Sequence, residues 1–236
     1  TEGTPRRSVH DAAREKNENI KDVSSISYRE NGKTINQAIR PVLKELDSLP
    51  MPAWDLIDIT PYKKEWLEGQ KPFTLNIATT RGCPFKCNWC AKPIYGNRYN
   101  SHSPSYIVKL IKMLQEQFGV ERFWMCDDIF GLKPNWVQEF NGLIKKENLN
   151  FKYYIQSRAD LLLVEDTIDA LAESGLEEAW IGAESGSQKI LDAMEKGTTI
   201  NQIEEATHLL KAKGIRVGFF IQYGYLGEEK EDVKKT

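Results

Sequence analysis

The chain has 236 residues, 40% of them apolar, and its 32 Lys and Arg against 34 Asp and Glu leave a net charge of −2, so no global basic field exists to recruit nucleic acid. No run approaches the roughly eighteen apolar residues of a membrane helix and residues 1–7 lack the apolar region of a signal peptide, so a soluble, cytoplasmic protein without membrane partners is expected. Four cysteines are too few for a disulfide scaffold, and three of them fall within eight residues, a grouping typical of metal binding in a reducing compartment.

Residues 1–50 hold a single aromatic, Tyr28, among many Lys, Arg, Glu, Asn and Ser, and Pro50, Pro52 and Pro61 follow around Met51 and Trp54. Such a composition cannot bury a core of its own. Within it residues 26–35 read as a hairpin, because Asn31-Gly32 supplies the two positive-φ residues of a tight turn; alone it is marginal. Residues 1–70 are therefore expected to be a polar, mostly irregular connector or the tail of a preceding domain, and residues 71–236 the core.

From about residue 72 strands and helices alternate. Strand-like runs cover 73–78, 122–125, 151–156, 179–183 and 217–223. Ser103 and Pro104 open a helix as N-cap and first helical residue, Ile107, Leu110, Ile111, Leu114 and Phe118 share one face, and Gly119 stops it. A second helix begins after Pro134, with Trp136, Val137, Phe140, Leu143 and Ile144 as its stripe, and others are predicted over 165–174, 187–196 and 200–213. Gly119, Gly175 and Gly214 each precede one apolar residue, a charge and a strand, an αβ loop used three times. The alternation argues for an α/β fold with a parallel sheet, open or closed as a barrel, that places ligands at the C-terminal ends of its strands.

Cys83, Cys87 and Cys90 stand in Thr-Thr-Arg-Gly-Cys-Pro-Phe-Lys-Cys-Asn-Trp-Cys, directly after the first core strand. The C-x3-C-x2-C spacing brings three soft thiolates to one side of a loop, which suits an iron–sulfur cluster or zinc. Three local ligands leave one iron of a four-iron cluster open, as catalytic metal sites do. The competing zinc knuckle would take its fourth ligand from Cys126 or a histidine, yet His10, His102 and His208 form no zinc-type pair. Cys126 reads instead as a buried small apolar residue.

This motif, with an aromatic before its last cysteine and in a β/α repeat, resembles the radical S-adenosylmethionine superfamily from about residue 72 onward. The strand ends Cys126-Asp127-Asp128, Ser157-Arg158-Ala159-Asp160 and Gly182-Ala183-Glu184-Ser185-Gly186 fit the same likeness, as does Leu49-Pro50-Met51-Pro52 in the connector. Together they resemble the cobalamin-dependent branch, which includes anaerobic magnesium-protoporphyrin ester cyclases and radical methyltransferases.

The resemblance implies a partial, C-terminally truncated TIM-like (β/α) barrel, with residues 1–70 as the tail or connector of a cobalamin-type domain. It implies a [4Fe–4S] cluster on Cys83, Cys87 and Cys90, S-adenosylmethionine at the open iron, and reductive cleavage to a 5′-deoxyadenosyl radical for methyl transfer or oxidative cyclisation. A small-molecule substrate and a low-potential donor of flavodoxin or ferredoxin type follow; cobalamin would need a domain outside this chain, which lacks a D-x-H-x-x-G signature. Asp127 and Asp128 would receive the methionine amino group, Arg158 its carboxylate, Glu184 and Ser185 the ribose hydroxyls, and Gly82, Gly182 and Gly224 would let backbone approach the ligand. The loop at Gly224 departs from the family in having Leu226 where relatives carry Pro, which weakens its assignment to the adenine. Each has a plainer role: an N-cap or turn for the aspartates, a salt bridge to Asp160 for Arg158, packing for Trp89. A methylthiotransferase and a non-catalytic iron–sulfur or zinc module are the alternative functions; the first should carry an upstream cysteine-bearing domain, and residues 1–82 hold no cysteine.

Overall fold

A computed structural model describes residues 19–92 and 95–236; the first part of the connector, with His10, lies outside them. Contacts divide the chain into two compact units at Leu43/Lys44. In the first, strands β1 (Ser27–Glu30) and β2 (Lys33–Asn36) form the expected antiparallel hairpin. Asn31 at φ 48° and Gly32 at φ 79° make its turn.

The second unit begins with the rest of the connector. Leu46 is fully buried, and Met51, Trp54 and Ile59 pack into or against the main core. Besides irregular chain and two single 3-10 turns at Leu46–Ser48 and Trp54–Leu56, this stretch carries one α-helix, α1 (Thr60–Glu68), with Pro61 in its first turn and the Thr60 amide donating to Asp58 Oδ1 at 3.0 Å. The repeat then unfolds in chain order: β3 (Thr74–Ile77), the short strands β4 (Thr80–Arg81) and β5 (Asn100–Ser101), α2 (Pro104–Phe118), β6 (Arg122–Met125), α3 (Trp136–Lys146) and β7 (Lys152–Ser157). The short helices α4 (Ala159–Leu162) and α5 (Thr167–Glu173), then β8 (Leu176–Glu184), α6 (Gln188–Ala193), α7 (Ile200–Ala212), β9 (Arg216–Ile221) and α8 (Lys230–Val233) complete it.

The five long strands pair in the order β3-β6-β7-β8-β9, every pair parallel. Sequential parallel order is that of consecutive barrel strands, and the described strands form an open sheet without closing a barrel. One face carries Phe123, Met125, Tyr153, Ile155, Ala179 and Ile181, all fully buried under the helices. Helix α2 seals part of it with Ile107, Ile111 and Leu114, each contributing about 1.5–3 kcal/mol by leaving water. Ser103 caps that helix, its hydroxyl accepting from the Tyr106 amide at 3.1 Å, and Gly119 ends it at φ 65°. The other face alternates in register: Trp124 stacks on Tyr154 with centroids 5.8 Å apart, and Trp180 lies 5.3 Å from Phe220.

Strand β8 runs longer than its apolar core at 179–183 suggests. Glu177 and Glu178, which read as loop, are held in the sheet because Arg216 on the adjoining β9 pairs with both and Arg122 on β6, beyond β7, pairs with Glu177.

Candidate cysteine-lined site at the strand ends

The loop after β3 is anchored before it presents any thiol. β4 and β5 zip its two ends together through Thr80 opposite Ser101 and Arg81 opposite Asn100. Asp127, buried at the end of β6, clamps the same base: Oδ1 accepts from the Thr79 and Thr80 amides at 2.6 and 2.9 Å, and Oδ2 from the Thr79 hydroxyl at 2.5 Å. Burial pushes its carboxyl up to about 6 against these donors, which pull the other way. Gly82 is required here, since at φ 82° an added Cβ would fall 2.1 Å from the Arg98 carbonyl oxygen. Farther along, Asn88 ties the loop to the end of α6, its amide donating to Met194 O at 3.1 Å and Nδ2 to Ala193 O at 2.7 Å.

So held, Cys83, Cys87 and Cys90 line one cavity of about 170 Å³ together with Phe85, Trp89, Asp128, Arg158, Gly182, Glu184, Lys196 and Phe220. All three thiols are free; Cys83 and Cys87 are half-buried and Cys90 exposed. Burial pushes the Cys83 and Cys90 thiols above their ordinary range. Iron binding would deprotonate them, as coordination does for any thiol. Among the described residues no three ligating side chains converge on a single ion. The donor set, soft and clustered on one cavity, fits the iron–sulfur group. His102, weighed as a zinc ligand, is taken up elsewhere, its Nδ1 2.9 Å from Asp47 Oδ1.

Glu184 is turned into the cavity by its backbone. It ends β8 at φ 64°, where the ladder to β9 slips between Gly182 and Glu184; a left-handed conformation costs a side-chain-bearing residue roughly 1–2 kcal/mol. There its Oε1 meets Lys196 Nζ at 2.9 Å, both side chains nearly dry. Lys196 also sits 5.2 Å above the Trp89 ring, whose buried Nε1 has no partner among the described residues. Gly182 makes room for this pair, since a Cβ there would lie 2.5 Å from Lys196 Nζ. Lys196 escaped the sequence reading, and its one signal is the twelve-residue spacing that lets α6 carry the chain back to the strand end.

The other expected contacts spread out. Asp128 and Arg158 line the cavity beside Glu184, with Arg158 in a two-point pair with Asp160. Asp127 faces the base of the cysteine loop. The Ser185 hydroxyl accepts from the Ser187 amide at 3.1 Å and lines a separate cavity beside α7. The Gly224 amide, at φ 79°, donates to Glu228 Oε2 at 2.6 Å, outside the lining of the cysteine cavity. Cys126 is exposed, not buried as expected, because it ends its strand on the open face, its Sγ 3.3 Å from Ile77 O.

A family model described as the Radical SAM superfamily matches residues 77–236. An uncharacterized methyltransferase of Pyrococcus horikoshii is 31% identical over 223 residues, 94% of this chain and 47% of that protein. The anaerobic magnesium-protoporphyrin IX monomethyl ester cyclase of Rubrivivax gelatinosus is 28% identical over 217 residues, 91% of this chain and 38% of that protein. The chain thus spans less than half the length of these curated relatives. Among solved structures, the cobalamin-dependent S-adenosylmethionine radical enzyme OxsB superposes with a TM-score of 0.76 at 22% identity, covering 96% of this chain and 33% of that one. The radical S-adenosylmethionine methyltransferase TsrM from Kitasatospora setae does so with 0.75 at 18% identity, covering 94% and 45%. At such identities the likeness shows the fold.

Proposed function

The chain belongs to the radical S-adenosylmethionine superfamily, and on that premise we propose that the protein cleaves S-adenosylmethionine reductively to drive methyl transfer or oxidative cyclisation on a small molecule. The observation that carries this reading is the meeting of Cys83, Cys87 and Cys90 with Asp128, Glu184 and Lys196 around one cavity at the strand ends. When bound, a [4Fe–4S] cluster on the three thiolates supplies an open iron and the electron that breaks a sulfonium C–S bond.

The chain's own residues orient and shield. The amino-acid end of S-adenosylmethionine carries both signs of charge, and the cavity wall offers both: the Asp128 and Glu184 carboxylates suit its ammonium, and Lys196 suits its carboxylate. Trp89, Phe85 and Phe220 give the cavity apolar walls, which keep water from a reactive radical. The names of the relatives support methyl transfer or cyclisation as the outcome. Cobalamin would be held by a domain outside this chain, and a flavodoxin- or ferredoxin-type donor in the cytoplasm would deliver the electron.

Anaerobic reconstitution tests the reading. The wild type is expected to bind about four irons and four sulfides, to change its electron paramagnetic resonance signal when S-adenosylmethionine is added, and to form 5′-deoxyadenosine. Cys87→Ala should lose most of that iron. A colourless protein holding only zinc would overturn the proposal, and a cluster signal indifferent to S-adenosylmethionine would favour an electron-transfer module.

A further inference from the structure

Arg158 is buried at the end of β7, 5% exposed, and its guanidinium is held at all three nitrogens and across one face. Nε and Nη2 donate to the two oxygens of Asp160 at 2.9 and 3.1 Å. Nη1 donates to the Lys196 carbonyl at 2.7 Å. The guanidinium carbon stands 3.7 Å from the centre of the Phe85 ring, and Phe85 belongs to the cysteine loop itself. The paired edge that would grip a ligand carboxylate is therefore already filled by Asp160. In this pose Nη1 stands 4.0 Å from Cys87 Sγ. Of the five guanidinium hydrogens, Asp160 and Lys196 take three, which leaves one on Nη2 and the second hydrogen of Nη1, the latter on the sulfur side.

We propose that Arg158 is a positioning residue: it holds Cys87 through the stacked Phe85 and, by placing a fixed positive charge and an N–H at that sulfur, raises the reduction potential of the bound cluster. The inference rests on the radical S-adenosylmethionine reading above. A donor at a ligand sulfur stabilises the state with more negative charge. The couple concerned is one electron wide, [4Fe–4S]2+ gaining one electron to become [4Fe–4S]+, and in a titration dithionite provides that electron. Asp160 acts in the opposite sense, since its carboxylate lies on the far side of the guanidinium and offsets part of the field. The two residues should thus move the potential in opposite directions, which a purely structural role would not do.

The experiment is a redox titration of the reconstituted protein, followed by paramagnetic resonance without S-adenosylmethionine, for the wild type, Arg158→Gln and Asp160→Asn. Arg158→Gln is expected to lower the midpoint potential and Asp160→Asn to raise it. If Arg158→Gln fails to load iron, Asp160→Asn decides alone: a rise supports the inference and no rise overturns it. Shifts of the same sign overturn it, as does an Arg158→Gln potential equal to wild type with weakened S-adenosylmethionine binding, which would make Arg158 the carboxylate partner. A loaded wild type unmoved by both substitutions overturns this inference only, whereas a wild type that binds no iron overturns the family reading with it.

Discussion

The two ends of the parallel sheet use the same ionic residues to opposite effect. At the N-terminal end Arg122 pairs with Glu177, and Arg216 reaches Glu177 at 3.0 Å and Glu178 at 2.8 Å. Arg216 stays wet at 58% exposed, while Arg122, Glu177 and Glu178 are about a quarter exposed, so water reaches the Arg216 pairs and they stabilise little. At the C-terminal end the side chains of Lys196 and Glu184 are 6% and 11% exposed and that of Arg158 is 7%. Here burial keeps solvent from most of each charged group, which depends on its protein partner. The same chemistry makes a surface belt at one end and a preset charge pattern around a cavity at the other, and burial alone separates them.

Breaking the buried pair should have the largest effect. Lys196→Ala leaves Glu184 unpaired, and a loss of about 3–5 kcal/mol is expected in urea unfolding. The double variant Glu184→Gln, Lys196→Met should recover most of it. A single-variant cost as small as that of a surface pair would erase the contrast between the two ends.

Asp127 sharpens the comparison at the same end. Asp127→Ala strands the Thr79 and Thr80 amides and should cost about 1–3 kcal/mol, whereas Asp127→Asn keeps an acceptor for them and should cost less. Because burial lifts this carboxyl from 3.8 to about 6, the folded state keeps a proton that the unfolded state releases between those values. Stability should therefore fall as pH rises from about 4 to about 6 and level off above. Asp127→Asn should lose that part of the slope when unfolding is measured across the range.

The smallest effect belongs to the wet end. Arg216→Ala should cost no more than about 1 kcal/mol, and salt should shrink the difference further. Thermal melts of wild type and variant at low and high salt read both.

Most of the fold was legible because its signals are local. Period, caps and turn residues placed α2 between Ser103 and Gly119 and the hairpin at Asn31-Gly32, and both stand where expected. The ends of β8 were not legible, because Glu177 and Glu178 belong to the sheet only by virtue of arginines far away in the chain. That the three cysteines meet at one cavity was legible from their spacing. Asp127 and Asp128 did not separate in the sequence: adjacent residues at a strand end face opposite ways, and only the packed structure shows that the first clamps the loop while the second lines the cavity. Lys196 was invisible for a related reason, since a lysine after a short helix reads as solvated until the strand end it returns to is known.

The sequence by itself determined the chemistry available: three thiols in one loop, a parallel α/β repeat to carry them, and charged residues at the strand ends. Those follow from neighbours within a few residues, where covalent geometry and local propensity act. Only the tertiary structure decided which charges share the cavity, which are spent on one another, and which way Arg158 points. Those depend on burial and on partners 12, 38, 48 or 71 residues away, and the energy of a charge is set by what surrounds it.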